Sequence, residues 1–349
     1  SPNTVILCQP AEPYVCVGYH QDLESEIDTE YCRKHNLPII RRSQGGGATY
    51  LDSNQIFYQI VASHESQVIP YEVEKLFERL LSVTVYACRK LGLPAEFKAL
   101  NDVIVNGRKI SGNGAGQFGE HNITILVGNI ILDLNYDSMA RVLKVPTEKF
   151  RDKMAQSMRE WVTSLKRELN HVPPVDQIEL LLVDGYKNLL EITLDPSDPS
   201  AIEERIWKEQ IKPKHVSYDW LHIQERRRDR LMEGRAVRIA DGVKVVQVDH
   251  KARKLIRIRS TLIGDRISDI VFSGDFFVIP EDELGNLEVS LKGVTLDREE
   301  VLERVKKFYK ERRIQTPGIF PNDFVEGLMK LRELAETYPP SIYPHTTVG

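Results

Sequence analysis

Arg41-Arg42-Ser43-Gln44-Gly45-Gly46-Gly47-Ala48-Thr49-Tyr50-Leu51-Asp52 is the stretch on which the reading of this 349-residue chain turns. Three consecutive glycines leave main-chain N–H groups uncovered by Cβ atoms, so a ligand can approach the backbone closely. The two preceding arginines carry forks that match a carboxylate or a phosphate. A plain glycine turn with two solvated arginines has the same composition, so the loop decides nothing alone.

A second stretch changes the balance. Asn101-Asp102-Val103-Ile104-Val105-Asn106-Gly107-Arg108-Lys109-Ile110-Ser111-Gly112-Asn113-Gly114 alternates apolar and polar residues around Asn106-Gly107, which predicts two short strands joined by a tight hairpin turn. Together the two stretches resemble the lipoate-protein ligase A family, whose pattern is roughly RRxSGGGAVYHD followed by ND(I/V)xxxGxKxSGxA. The resemblance continues through Val127 to Asp133 and, more weakly, Ile267 to Phe277.

Composition sets the frame around these motifs. The length predicts two domains, because single cores stop growing near 250 to 300 residues. With 41% hydrophobic and 28% charged residues the chain is an ordinary globular one, and a net charge of −4 argues against a nucleic-acid binder. Cys8, Cys16, Cys32 and Cys88 show no CxxC spacing and lie mostly in apolar runs, which predicts reduced cysteines of a cytoplasmic protein in core strands or helices. No apolar run approaches the roughly 20 residues that cross a bilayer.

Along the chain, Thr4 to Cys8 and Tyr14 to Gly18 predict buried strands, Asp22 to Asn36 a helix, and Pro38-Ile39-Ile40 the strand that delivers the glycine loop. Family members usually carry a further strand and helix before Thr4. Ile56 to Ala62 predicts a strand and Val73 to Leu91 a long core helix ended by Gly92. Gly112 to Glu120, polar and glycine-rich, predicts a mobile lid. Asn122 to Leu134 predicts a buried strand, whereas Asp137 to Val145, Thr147 to Leu169, Ile178 to Leu190 and Ile202 to Ile211 carry helical patterns. The charged run Glu225 to Arg230 predicts a linker. Beyond it, strands over 236–248, 255–260 and 267–271 and helices over 299–312 and 324–338, followed by an extended tail over 339–349, predict a small α+β module.

The resemblance implies an α/β (α+β) fold: a biotin/lipoyl protein ligase-like catalytic domain over 1–225, with a class II synthetase-like mixed sheet and helices, and a smaller accessory domain over 230–338. It implies an enzyme that activates lipoate with ATP and Mg²⁺ to lipoyl-AMP and passes the acyl group to a lysine of a lipoyl domain, a glycine-cleavage H protein or a specialised lipoate-binding protein of sulfur metabolism. A monomer is expected, without nucleic-acid or membrane partners. Carried over by position, Lys109 is catalytic and Asp102 holds magnesium. Arg42 and the amides of Gly45, Gly46 and Gly47 hold the phosphate and acyl carbonyl. Ala48 and Thr49 line the wall, and Gln55 faces adenine. Asn101, Ser111, Gly112, Asn113, Gly128 and Asn129 complete the ligand contacts, and Val17, Gly18 and Tyr19 line the acyl slot, although core packing accounts equally well for Val17.

Three positions depart from the pattern: Gln44 replaces a serine, Leu51 the histidine of YHD, and Val127 the histidine of HG(T/S). They point to a specialised subgroup. Two alternatives stay open. An octanoyltransferase of the same fold would work without ATP through a cysteine thioester, yet no cysteine follows Cys88. A catalytically silent lipoate-binding module would account for the missing histidines but not for Arg42, Asp102 and Lys109.

Overall fold

The computed structural model describes residues 2–63, 66, 68–118, 123–227 and 243–337. The chain divides into two compact units, Ser1–Leu221 and His222–Gly349. Five expectations lie partly outside the described residues, through Gly119 and Glu120 of the lid, Asn122 of the strand that follows it, Arg228 to Arg230 of the linker, the first residues of the 236–248 strand and Tyr338 of the last helix, and the 339–349 tail lies wholly outside them.

The first unit is built on a six-stranded antiparallel sheet. Its spatial order is β1 (Thr4–Cys8), β5 (Gln55–Ser63), β9 (Ile123–Ile131), β8 (Arg108–Phe118), β7 (Asp102–Val105) and β6 (Ala95–Lys98). A smaller sheet holds β2 (Tyr14–Val17) between β3 (Ile39–Arg41), its parallel neighbour, and β4 (Thr49–Leu51), its antiparallel one. The glycine loop is thus the connection between the two edges of this small sheet. β1 is not the buried strand expected: it is the edge of the large sheet, Ile6 is 41% exposed and Cys8 is exposed, because only β5 pairs with it.

Helix α3 (Val73–Lys90) buries the stripe Val73, Leu76, Phe77, Leu80, Leu81, Ala87 and Cys88 and packs on β6, β7, β8 and α7 (Val175–Leu190). Asp137 to Val145 becomes α4 (Tyr136–Val142), whereas two predicted helices are broken. Asp22 to Asn36 becomes α1 (Leu23–Glu26) and α2 (Thr29–Lys34), because the Asp28 carboxylate caps a new helix at the Tyr31 N–H (2.9 Å) while Ile27 bridges to Leu143. Thr147 to Leu169 becomes α5 (Glu148–Trp161) and α6 (Leu165–Leu169); Val162 and Thr163 leave the helix, and Ser164 caps the second piece.

The predicted lid is a strand over its described part. Residues 112–118 continue β8 and pair with β9 from Asn113↔Gly128 to Phe118↔Ile123. Composition alone misjudged it: a glycine-rich strand lacks side chains to bury, but its backbone pairs along β9, and Gly112 also with Asp102 of β7. At its start, Gly128 sits so close that a Cβ there would lie 1.9 Å from Asn113 Oδ1 and 2.5 Å from the buried Tyr58 ring. Gly128→Ala is therefore expected to destabilise the first unit by about 1–3 kcal/mol through overpacking, checked by denaturant unfolding; an unchanged midpoint would show that this contact can yield.

In the second unit, β10 (Val243–Lys251), β11 (Leu255–Ile263) and β12 (Arg266–Gly274) form an antiparallel meander. Helices Glu283–Leu291, Arg298–Arg312 and Pro321–Thr337 are packed over a core containing Ile256, Ile258, Phe272, Phe276, Phe324 and Leu328. The first of these helices has no counterpart in the sequence reading. The Glu288 carboxylate is buried there, accepting from the Phe272 N–H (2.8 Å) and pairing with Arg227.

Candidate active site

Lys109 owes its position to an irregularity. Asn106 and Gly107 both have positive φ, 50° and 77°, which gives the tight turn expected of Asn-Gly. From there the register of β7 and β8 runs Val105↔Arg108 and Ile104↔Lys109, then skips to Val103↔Ser111 and Asp102↔Gly112. Ile110 is the extra residue of a β-bulge, and it is wholly buried. In a regular strand, residues three apart point to opposite faces. The bulge cancels that alternation and turns Lys109 onto the face shared by Gly112 and Asp102. The side chain then runs along the strand: a Cβ on Gly112 would fall 2.8 Å from Lys109 Cε and 2.9 Å from its Nζ. It ends 2.7 Å from Asp102 Oδ1, an oxygen sealed from solvent that accepts no other hydrogen bond among the described residues.

The other carried-over polar residues form a network beside this pair. Gly112 N–H donates to Asn129 Oδ1 (2.9 Å), Asn129 Nδ2 to Gln55 Oε1 (2.7 Å), and Gln55 Nε2 to the Tyr50 carbonyl (3.3 Å). Asn113 Nδ2 donates to the Asn101 carbonyl (2.9 Å) and Ser111 Oγ (3.1 Å), Asn101 returns a bond to the Asn113 carbonyl, and Tyr58 OH donates to Asn113 Oδ1. Burial holds the Tyr58 phenol well above its usual range, so it stays a neutral donor. Gln55 is 2% exposed, and its amide is turned onto Asn129 and Tyr50, so it links the large sheet to β4.

The glycine loop is held by the arginines in a way the sequence did not disclose. Arg42 directs its guanidinium at the loop itself, Nη2 donating to the carbonyls of Gly45 (2.7 Å) and Gly47 (2.9 Å), and Nη1 meeting Cys16 Sγ at 3.7 Å. Turning those carbonyls inward leaves the N–H groups of Gly45, Gly46 and Gly47 without an acceptor among the described residues, as an anion cradle requires. Arg42, for which the resemblance implied contact with the ligand, thus shapes the loop. Ala48 packs beside β2, and Thr49 opens β4 opposite Cys16.

Arg41 is completely buried. Nη1 donates to the carbonyls of Gly18 (2.8 Å), Tyr19 (3.1 Å) and Gln21 (2.7 Å), and Nε and Nη2 to that of Leu221 (2.9 and 2.7 Å). Trp220 Nε1 answers with a bond to the Arg41 carbonyl at 2.9 Å. The turn at Gly18 so secured lies directly against the glycine loop, and Tyr19 N–H donates to the Gln44 carbonyl (2.9 Å).

A last contributor is Glu168 on α6. It accepts from Arg108 Nη2 (2.8 Å), Asn106 Nδ2 (2.9 Å) and Thr163 Oγ1, while Thr163 N–H donates to the Lys109 carbonyl (2.8 Å). Burial pushes the Glu168 carboxyl up, but hydrogen bonds from Thr163, Arg108 and Asn106 outweigh it and hold the group below its usual value. The carboxylate is accordingly charged at neutral pH, and its bonds are lost only as the pH falls through that lowered value.

No group of three His, Cys, Asp or Glu side chains among the described residues is placed to hold a metal, and none of the described helices is long and apolar enough to cross a membrane.

The family model for the lipoyl protein ligase A/B catalytic domain matches residues 1–187. The chain is 25% identical over 330 residues to lipoate–protein ligase 2 of Staphylococcus aureus, covering 92% of this chain and 87% of that protein. It is 26% identical over 242 residues to the octanoyltransferase LipM of Kyrpidia tusciae, covering 63% and 86%. Among solved structures, the bipartite lipoate protein ligase of Thermoplasma acidophilum, described with its E2 lipoyl domain, superposes with a TM-score of 0.57 at 28% identity over 63% of this chain and 84% of that one. P. falciparum LipL1 in complex with lipoate shares the fold over 95% of this chain and 86% of its own, with a TM-score of 0.63 at 14% identity.

Proposed function

Because the chain belongs to the lipoyl protein ligase A/B catalytic-domain family, we propose that it is an ATP-dependent lipoate–protein ligase. The observation that carries this reading is the ammonium of Lys109, extended over Gly112 beside a lone carboxylate. Attack of the lipoate carboxylate on the α-phosphate of ATP brings two anions together and expels pyrophosphate. A compact, swivelling ammonium between them opposes the charge that accumulates. The amides of Gly45 to Gly47, which have no acceptor among the described residues, receive the phosphate, and the turn of Val17, Gly18 and Tyr19 lines the acyl chain. In the second step an acceptor lysine amine attacks the carbonyl of lipoyl-AMP, AMP leaves, and the amine loses a proton.

Magnesium fits this donor set only as an ion delivered by the nucleotide: Asp102 would supply one carboxylate oxygen, with phosphates and water as the remaining ligands. Bound there, it would neutralise charge on the departing pyrophosphate. In this reading the chemistry lies within 1–225, and 230–338 is an accessory domain that contributes none of the reacting groups. The acceptor is a protein presenting a hairpin lysine, as a lipoyl domain does, and the protein works as a cytoplasmic monomer.

A second reading is favoured by two observations: the LipM relative and the 3.7 Å approach of Cys16 to Arg42. It makes the chain an octanoyltransferase that carries the acyl group on Cys16. Intact-mass measurement on a panel of purified acceptors, with ATP, Mg²⁺ and either lipoate or octanoate, separates the two. We expect modification to require ATP and to release pyrophosphate, and Cys16→Ala to retain at least about a third of the rate, an effect of order RT. Equal transfer from octanoyl-carrier protein without ATP, abolished by Cys16→Ala, would establish the transferase instead.

A further inference from the structure

We propose that Glu168 is a positioning residue for Lys109. This inference rests on the role given above to the Lys109 ammonium. Three donors converge on the Glu168 carboxylate from two segments remote in sequence: Asn106 and Arg108 from the hairpin turn, and Thr163 from the break between α5 and α6. Lys109 lies between these clamps. Its own carbonyl accepts from the Thr163 N–H, and its backbone bridges Val162 in parallel as well as Ile104 in antiparallel fashion.

The consequence is mechanical. Among the described residues Asp102 is the one ion-pair partner of the Lys109 side chain, which runs over Gly112, so the place of the ammonium follows the placement of its backbone at the bulge. A bulge is a point of weak pairing. Here the backbone on its outer side is held by Val162 and Thr163, and Thr163 is in turn held to the hairpin through Glu168. The bonds are charge-assisted on the Arg108 arm, and the Glu168 side chain is only 5% exposed, so water is a poor substitute for the carboxylate. Without it, the hairpin tip and the α5–α6 break lose their common partner, and Lys109 loses the frame that holds it over Gly112.

The full chain carries the test. Glu168→Ala and Glu168→Gln are compared with Lys166→Ala, which removes the 2.7 Å ion pair to Asp133 from the same helix without touching the hairpin. Brief labelling with acetic anhydride, read by mass spectrometry at Lys109 relative to Lys34, reports the ammonium directly and needs no activity. We expect Lys109 labelling to rise about threefold or more in Glu168→Ala, as local opening frees it, and to be unchanged in Lys166→Ala. Pyrophosphate exchange should show kcat falling about tenfold or more, with little change in KM, because misplacement of a catalytic group by about 1 Å is costly. Glu168→Gln, which keeps acceptor oxygen but loses the charge, should be intermediate in both measurements, and it carries the test if the alanine variant does not fold. Lys109 labelling indistinguishable from wild type in a folded Glu168 variant would overturn the proposal. A wild-type chain silent in pyrophosphate exchange would refute the ligase reading instead, and the labelling result would still decide the role of Glu168.

Discussion

Lys109→Ala is expected to reduce pyrophosphate release by 10² to 10³, about 2.7–4 kcal/mol, the loss seen when one preorganised transition-state donor is removed. The substitution takes away a charge that the protein has placed with care: a bulge turns it to the correct face and Gly112 clears its path. Stability should change little, because the Lys109–Asp102 pair is partly solvated, with both side chains about a third exposed, and pairs of that kind contribute little. Lys109→Arg should restore poorly. A planar guanidinium is longer and cannot swivel between two anions in the space over Gly112. Single-turnover formation of lipoyl-AMP is the measurement, and a folded alanine variant with near-normal release would reduce Lys109 to a structural strand-end residue.

Gly18→Ala should be nearly as damaging by a different route. A Cβ at residue 18 would lie 1.9 Å from the Gly46 carbonyl oxygen and 3.2 Å from Arg42 Nη2. The first of these is backbone, and it belongs to a glycine at φ +91° whose neighbours Arg42 clamps on both sides. Nothing soft is available to move. The expected result is about 1–3 kcal/mol of destabilisation from overpacking. The cradle would be displaced as well, which should lower activity by about 10²-fold. Thermal unfolding and adenylate formation measured on one preparation separate the two effects; an active, stable Gly18→Ala chain would show that the turn and the loop can move apart.

The same residues show what a sequence discloses. The alternation over Ile39, Ile40 and Arg41 runs half-buried, exposed, buried, a strand period that reaches Arg41, but the expected strand stopped at Ile40 and the chemical expectation of a solvent- or ligand-facing guanidinium hid the buried one. Asn106-Gly107 named its own turn, because few residues tolerate positive φ. The break at Val162 to Ser164 was illegible: its helical pattern is continuous, and the partners that justify leaving the helix, Lys109 and Glu168, are respectively far away in sequence and hidden in a charged stretch. Glycines at 112, 114 and 116 signalled flexibility when read singly, and became a strand only because β9 lay alongside. Candidate residues that a motif names were therefore legible, and those that brace them were not.

The extra residue Ile110 has a consequence for comparing chains of this kind. Strand faces obey parity, so the spacing between Lys109 and the Asp102–Gly112 pair matters as much as the lysine itself. A chain of the same length that paired this hairpin regularly, without the bulge, would keep every letter of the motif yet carry its ammonium on the opposite face of the sheet. Counting residues from the lysine to the glycine, modulo two, thus tells which sequences need a bulge to place this charge and which place it with regular pairing.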